Sequence, residues 1–418
     1  MDRLPLEDIQ ILDLSWVMAG PHATHLFLDL GAKIVKVESK RSLDVVRTNT
    51  LRKGVEDYRQ EGGWAFNDLN NGKQEIAINL KSVKGREALE DLVRQSDIVV
   101  ANYGTSAFHK LGLTFEDLSK IKSDIIVLNA SGLGDWGPYA SYVSFAPVVQ
   151  ALTGMVSRIG YEGDKTPYDG YPPLCDYLGG LAIATNLMAA IEYRDRTGKG
   201  QFIDLSQVES AASYLGPALL DYQVNDHIEA LAGNHHYAGS AAPHNAYRCK
   251  GEDKLRQWCV IAVASQEEWE RFCQVVDPQG TWTAEAKFST MEERVAHQEE
   301  LDAKVETWTL QHTQNEVAEL LQGNRVSAAP VQYAADLLYK DPQMQDRAFF
   351  REVVFPPSDR TPPTLLVTGP KMRISGLDYD RQVKPGPCVG QDTQYVLREL
   401  LGKSDEWIAE GMAEGAFE

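Results

Sequence analysis

Five short apolar runs with helix-forming stretches between them limit the fold of this chain more than any other feature. They are residues 9–14 (IQILDL), 33–37 (KIVKV), 75–80 (EIAINL), 97–101 (DIVVA) and 124–129 (DIIVLN). Runs this short and this rich in β-branched residues read as strands buried on both faces. Between the first two, Ala19-Gly20-Pro21 follows directly, and Pro21 is placed as the first residue of a helix that runs to about Leu30 and stops at Gly31. Residues 84–96 form an amphipathic helix, with further helices near 107–111 and 114–121. Strand, helix and strand within about thirty residues is a βαβ unit, so the expected fold class is α/β. We read it as a Rossmann-like open parallel sheet, doubly wound by helices.

The texture changes further along. Residues 225–243 are polar and rich in Ala, Gly and His, and read as a linker. Beyond it come a strand at 258–264 (WCVIAVA), a capping box at Ser265–Glu268 and a second at Thr313–Glu316. This predicts a smaller α+β domain. The expected division is residues 1–224 as the large catalytic domain, 225–243 as linker, 244–335 as the small domain, and 336–418 as a segment returning to the large one. A β-like piece at 365–367 and a helix at 391–401 belong to that last segment.

The formal net charge of −19 argues against nucleic acid or an anionic membrane surface as a partner, so an anionic ligand needs a local group of Lys and Arg. Five scattered cysteines, never in a CxxC spacing, suit a reducing compartment and give neither a disulfide framework nor a zinc site. Residues 1–12 lack a signal pattern and no apolar run has membrane-spanning length, so a cytoplasmic protein is expected.

The chemistry centres on residues 172–208. Two prolines precede Asp176, Gly179 and Gly180 follow it, and an apolar run from Leu181 to Tyr193 reads as a mostly buried helix capped by Gly198. Asp176 then has two readings, an N-cap or a carboxylate nucleophile with backbone N–H groups near it. Asp is among the best N-cap residues, so this feature alone favours the first. The glycines tilt the balance slightly toward the second, because a cap needs no neighbour without a side chain, and the rest of the chain has to decide. Gly132-Leu-Gly134-Asp-Trp-Gly137 matches a dinucleotide fingerprint, but Pro138-Tyr139 follows in place of a helix start and no acid stands where the ribose needs one. NAD is not expected, and the loop reads as an active-site or structural one. His22 and His25 share a helix face and His235-His236 adjoin, without acidic or Cys companions at ligand spacing, so no metal is expected. Nor is there a P-loop or a GxSxG elbow.

Taken together, these elements resemble the class III CoA-transferases, the family of formyl-CoA transferase and carnitine CoA-transferase. The resemblance runs over LDLSWVMAGPHATHLFLDLGAKIVKVE (12–38), NNGKQEIAINLKSVKGR (70–86), DIVVANYGTSAFHKLGL (97–113), Asp176 with its helix, RTGKGQFIDLSQVE (196–209), APV (329–331) and VGQDTQYVLRELLG (389–402). It implies that Asp176 attacks an acyl-CoA thioester to give a mixed anhydride, that the released thiolate converts this to an aspartyl-CoA thioester, and that an acceptor acid reverses these steps. It also implies an interlocked dimer of ring-like subunits, or a heteromer with a homologous subunit. Coenzyme A and acyl-CoA are thus substrates, with an organic acid as the other partner.

The resemblance places CoA against Ile78, Lys81, Asn102, Tyr103, Ala107, Lys110 and Leu111. Ser39 stands where formyl-CoA transferase has an arginine, and Lys40 and Arg41 adjoin it as substitutes. Trp16 and Met18 replace polar residues beside the active site, Phe145 lies near them, and Ala238-Gly239-Ser240 matches the polyglycine gate loop. The expected acyl pocket is therefore more apolar, suited to a larger acid than formate or oxalate. The family's racemases need a His-Asp pair where this chain has Phe145 and Ala146, which argues against racemisation. A looser likeness to succinyl-CoA:benzylsuccinate CoA-transferases points to succinyl-CoA as donor and an aromatic or branched dicarboxylate as acceptor. An acyl-CoA racemase or isomerase and a non-catalytic CoA-binding subunit are the alternatives.

Overall fold

Six parallel strands assemble in the order β3-β2-β1-β4-β5-β6. They are β1 (Gln10–Asp13), β2 (Lys33–Glu38), β3 (Gln74–Ala77), β4 (Ile98–Ala101), β5 (Ile126–Asn129) and β6 (Gln201–Asp204). The computed structural model describes residues 4–48, 61–168, 173–228, 231–253, 256–358, 361–376 and 383–417. Five of these strands fall on the five apolar runs, and the sheet is the doubly wound parallel one expected. The sixth was not anticipated. It is an edge strand with Phe202 38% exposed, so it lacks the continuous apolar signature of its neighbours.

Alternation along each strand sorts the side chains into two cores. On one face Leu12, Val35, Ile76, Val99 and Val127 pack against Ala88, Leu89, Leu92 and Val93 of the helix Val83–Gln95. Val396, Leu397, Ile408 and Phe417, from the end of the chain, join this core. Their segment is pinned to the β3 edge, where Glu75 N donates to Asp392 Oδ2 (2.9 Å), Asn79 N donates to Ala416 O (2.9 Å) and Ile78 bridges Phe417. On the opposite face Ile11, Ile34, Ile98, Val100, Ile126 and Leu128 meet the helices Ala19–Asp29 and Leu174–Thr197.

The Leu174–Thr197 helix starts at Leu174, with Pro173 as a cap that supplies no side-chain bond, and ends where Gly198 takes φ +69°. Asp176 is consequently the third helical residue. Its N–H donates to Pro173 O (3.1 Å), which overturns the N-cap reading. Gly180 marks where this helix packs against Ala19–Asp29. A Cβ there would stand 2.6 Å from His22 Nδ1 and 2.9 Å from Ala19 O. Helix propensity alone makes Gly→Ala stabilising by about 1 kcal/mol. The contact reverses the sign, and we expect Gly180→Ala to destabilise by about 2 kcal/mol in urea unfolding, as overpacking does.

The chain divides into two compact units, one of Met1–Val156, Asp169–Gly216 and Gln345–Glu418, the other of Ser157–Tyr168 and Pro217–Met344. The first also carries an antiparallel hairpin, β10 (Phe350–Val354) with β11 (Thr364–Thr368), tied down by Trp64 Nε1 to Leu366 O (2.8 Å) and Thr368 N to Asp68 Oδ1 (2.6 Å). The second unit is built on β7 (His244–Arg248), β8 (Trp258–Ala262) and β9 (Ser327–Pro330), an antiparallel sheet in that order. Its core holds Trp269, Phe272, Leu301, Val305, Val317 and Leu321 from three helices. Thr313 and Glu316 form the expected reciprocal capping box. Ser265 caps Glu268 N (3.1 Å), while the Glu268 carboxylate reaches Ala264 N instead of the cap residue.

Candidate active site

In a doubly wound sheet the crevice for ligands opens beyond the carboxyl ends of the strands, where the chain order reverses. Here that point lies between β1 and β4, which are neighbours in the sheet. The loops that leave them are stapled together by Asn102, whose Oδ1 accepts from Trp16 N (2.9 Å) and whose Nδ2 donates to Trp16 O (2.7 Å). Next in the chain, Val17 has φ +64°, a left-handed conformation that costs a β-branched residue about 1–3 kcal/mol. Asp44 holds it there, both carboxylate oxygens accepting from Val17 N (3.1 and 3.0 Å).

Above these loops lies a cavity of about 430 Å³. It is lined by Trp16, Met18, Asn102, Tyr103, Ala107 and Lys110 from the loops after β1 and β4, and by Ser131, Gly132, Phe145, Val149, Gln207 and Asp176. The glycine-rich loop after β5 thus forms part of the wall. Gly134 and Gly137 both take positive φ, and no helix starts until Ala146.

Asp176 is 8% exposed. Burial pushes its carboxyl up to about 6, and among the described residues no hydrogen bond or opposing charge offsets this. Also in the cavity lining, Tyr103 has its hydroxyl pushed well above its ordinary range by burial and by Asp13, Glu38 and Asp44. His22, edge-on to the Tyr177 ring with centroids 5.1 Å apart, is lowered to about 4 by burial and by Lys371 and Lys73, so it is neutral near pH 7.

The cavity gathers eight of the residues singled out from sequence, namely Trp16, Met18, Asn102, Tyr103, Ala107, Lys110, Phe145 and Asp176. Others lie elsewhere. Ile78 is buried in the sheet core, Leu111 packs half-buried against that core, and Lys40, Arg41 and Lys81 are exposed outside the cavity wall. Gly239 and Ser240 belong to the second unit, where the Ser240 hydroxyl lies 3.2 Å from His236 Nδ1. Gly179 and Gly180 are inside the helix, past its first four N–H groups, so their N–H groups fall within the helical ladder. Their role in the fold is to leave room, Gly180 for His22 and Gly179 for Gln207. Ser131 and Gln207 are cavity residues that the sequence reading missed. The signal for Gln207 is its place just after β6, a strand whose residues carry no continuous apolar run.

The sequence profile of CoA-transferase family III matches residues 6–393. A probable CoA-transferase of Mycobacterium tuberculosis is 30% identical over 95% of this chain, and the match spans 48% of that longer protein. The succinyl-CoA:mesaconate CoA-transferase of Haloarcula marismortui is 30% identical, with 85% of this chain and 87% of the relative covered. Among solved structures, a CAIB/BAIF family protein from Brucella suis superposes with a TM-score of 0.82 at 26% identity, covering 96% of this chain and all of that one.

Proposed function

The chain belongs to CoA-transferase family III, and on that premise we propose that it moves CoA from an acyl-CoA donor, succinyl-CoA, to a dicarboxylic acid through covalent intermediates on Asp176. The observation that carries this reading is the Asp176 carboxylate itself, buried at the cavity wall with no compensating partner among the described residues. In water a carboxylate is a weak nucleophile, and stripping its hydration makes it a stronger one.

The steps balance without a redox partner or a net proton. An Asp176 oxygen bonds to the thioester carbon, the C–S bond breaks and CoA leaves as thiolate, giving a mixed anhydride. The thiolate attacks the aspartyl carbonyl and expels the donor acid, leaving an aspartyl-CoA thioester. An acceptor carboxylate then attacks that thioester, and the thiolate released takes the acyl group as new acyl-CoA while Asp176 is restored.

Trp16, Met18 and Phe145 give the cavity an apolar side suited to a bulky chain, and the relative that uses mesaconate handles a branched dicarboxylate. An aromatic or branched dicarboxylate acceptor is the reading they support. Lys110, which lines the cavity, together with Lys40, Arg41 and Lys81, supplies cations for the phosphates of CoA. Phe145 and Ala146, one capping and one opening the helix Ala146–Thr153, have no group that accepts a proton, which counts against the racemase alternative. A second copy as partner is supported by the outward stripe of the Leu174–Thr197 helix, where Leu174, Leu181 and Met188 are 50%, 46% and 43% exposed. The cytoplasm is the proposed location.

Peptide mass spectrometry after incubation with succinyl-CoA, with hydroxylamine to trap activated carboxylates, tests the reading. We expect a hydroxamate on Asp176. An unmodified Asp176 with acyl-CoAs that bind, combined with deuterium exchange at the α-carbon, would overturn it in favour of a racemase.

A further inference from the structure

Two buried side chains in the cavity wall have hydrogen-bonding capacity that no described residue satisfies. Ser131 is 4% exposed, and its Oγ has no partner among the described residues. Gln207 is 8% exposed. Its Nε2 donates to Ala130 O (3.2 Å), and its Oε1 has no partner among the described residues. The two are fixed to one another through the backbone, Gln207 N donating to Ser131 O (3.1 Å), and both line the cavity that contains Asp176. Gly179, one helical turn beyond Asp176 and on its face, makes the space for Gln207. A Cβ there would lie 3.3 Å from Gln207 Cγ and 3.5 Å from its Oε1.

Buried polar atoms are paired in native proteins, and the exceptions call for an explanation. A serine hydroxyl can donate, whereas the Gln207 oxygen, its NH₂ already fixed, can only accept. The reacting end of an acyl-CoA carries the complementary pair. Its thioester carbonyl oxygen only accepts, and the nearest amide of the CoA arm, two methylenes from sulfur, offers an N–H. The N–H groups of Gly179 and Gly180 fall inside the helical ladder, whereas the Ser131 hydroxyl is a buried donor on the cavity wall with no partner among the described residues.

We propose that Ser131 and Gln207 read these two groups: the Ser131 hydroxyl donates to the thioester carbonyl oxygen as it gains negative charge, and Gln207 Oε1 accepts the amide N–H and so sets the sulfur in register over Asp176. The proposal rests on the transferase reading. Ser131 then acts mainly in the transition state, and Gln207 in placing the substrate.

Two variants test it. Ser131→Ala is expected to lower kcat by about 100-fold with little change in KM, as loss of one oxyanion donor does. For Gln207→Met the readout is a pair of small donors, the succinyl thioester of N-acetylcysteamine and that of propanethiol, which lacks the amide. The parent enzyme should prefer the amide-bearing donor about tenfold in kcat/KM, and Gln207→Met should lose that preference, the effect of one hydrogen bond. Circular dichroism melts show whether each variant folds. A folded Ser131→Ala with kcat within about threefold of the parent, or a Gln207→Met that keeps the amide preference, overturns the proposal while Asp176 labelling stands. Absence of labelling on Asp176 in the parent enzyme would instead overturn the transferase reading, and this proposal with it.

Discussion

Asparagine in place of Asp176 is expected to abolish CoA transfer and, above pH 6, to make the protein more stable. Both effects come from one carboxylate. As nucleophile it has no substitute on the cavity wall, so kcat should fall by about 10⁴-fold or more. As a buried charge it is a cost. Burial raises its carboxyl from the ordinary 3.8 to about 6. A raised acid pKa means that the folded state binds more protons than the unfolded one between those values, so stability falls as pH rises through that window. At a little over 1.3 kcal/mol per pH unit, the full cost above pH 6 is about 3 kcal/mol. Asparagine is neutral throughout and escapes it. Urea unfolding from pH 4 to pH 8 should show the variant gaining up to about 3 kcal/mol at the alkaline end, with the advantage vanishing near pH 4. The parent's kcat/KM should rise through about pH 6 and level off, since attack needs the ionised form. If the variant were no more stable at pH 8, the carboxylate would have a compensating partner, and its activation by desolvation would fail as an explanation.

Much of this site is legible in the sequence, and what is not has physical causes. Strands β1 to β5 announce themselves because both faces are buried, which makes each a continuous apolar run. The edge strand β6 follows a basic helix end and a pair of glycines and shows Phe202 to solvent, so nothing in QFID distinguishes it from a loop. Missing that strand hid Gln207, three residues past its end. Asp176 was located but its local role was not, because a cap and a first-turn carboxylate are identical in sequence. Only the start of the helix at Leu174 separates them. The final helix, Asp405–Ala413, is opened by Ser404, whose hydroxyl accepts from Trp407 N. It was overlooked among the acidic residues that surround it. Nor could Lys36 be read as fully buried, since its partners Asp13, Asp44 and Ser15 O come from other parts of the chain.

Those buried charges support the second large expected effect, a loss of about 3–5 kcal/mol in Lys73→Met, the usual consequence of removing one partner of a buried pair. Lys73 has no solvent exposure at its side chain, and its Nζ donates to Asp13 Oδ2 (2.9 Å), Thr24 Oγ1 (2.8 Å), Asn70 Oδ1 (2.9 Å) and Pro21 O (3.1 Å). Burial on its own would raise the Asp13 carboxyl, but the Lys73 and Lys36 cations and the Ser15 and Thr24 hydroxyls together hold it down at about 2. A depressed carboxyl contributes stability above its unfolded value and loses it on acidification through the folded one, so the parent is favoured near neutral pH. In Lys73→Met that contribution goes, and Thr24 Oγ1, Asn70 Oδ1 and Pro21 O each lose one donor. The damage should therefore be larger at pH 7 than at pH 4, which urea unfolding at the two values can measure. It should also reach the active site. Asp13 accepts from Ser15 N (3.0 Å) and from the Ser15 hydroxyl (2.5 Å), and that turn delivers Trp16 to the cavity. Adding Asp13→Asn removes the stranded charge, so the double variant should be more stable than the sum of the two single losses allows, by about 1–3 kcal/mol of coupling. Strict additivity would mean that the pair is electrostatically silent. The turn before Trp16 would then be held by its hydroxyl and backbone bonds alone.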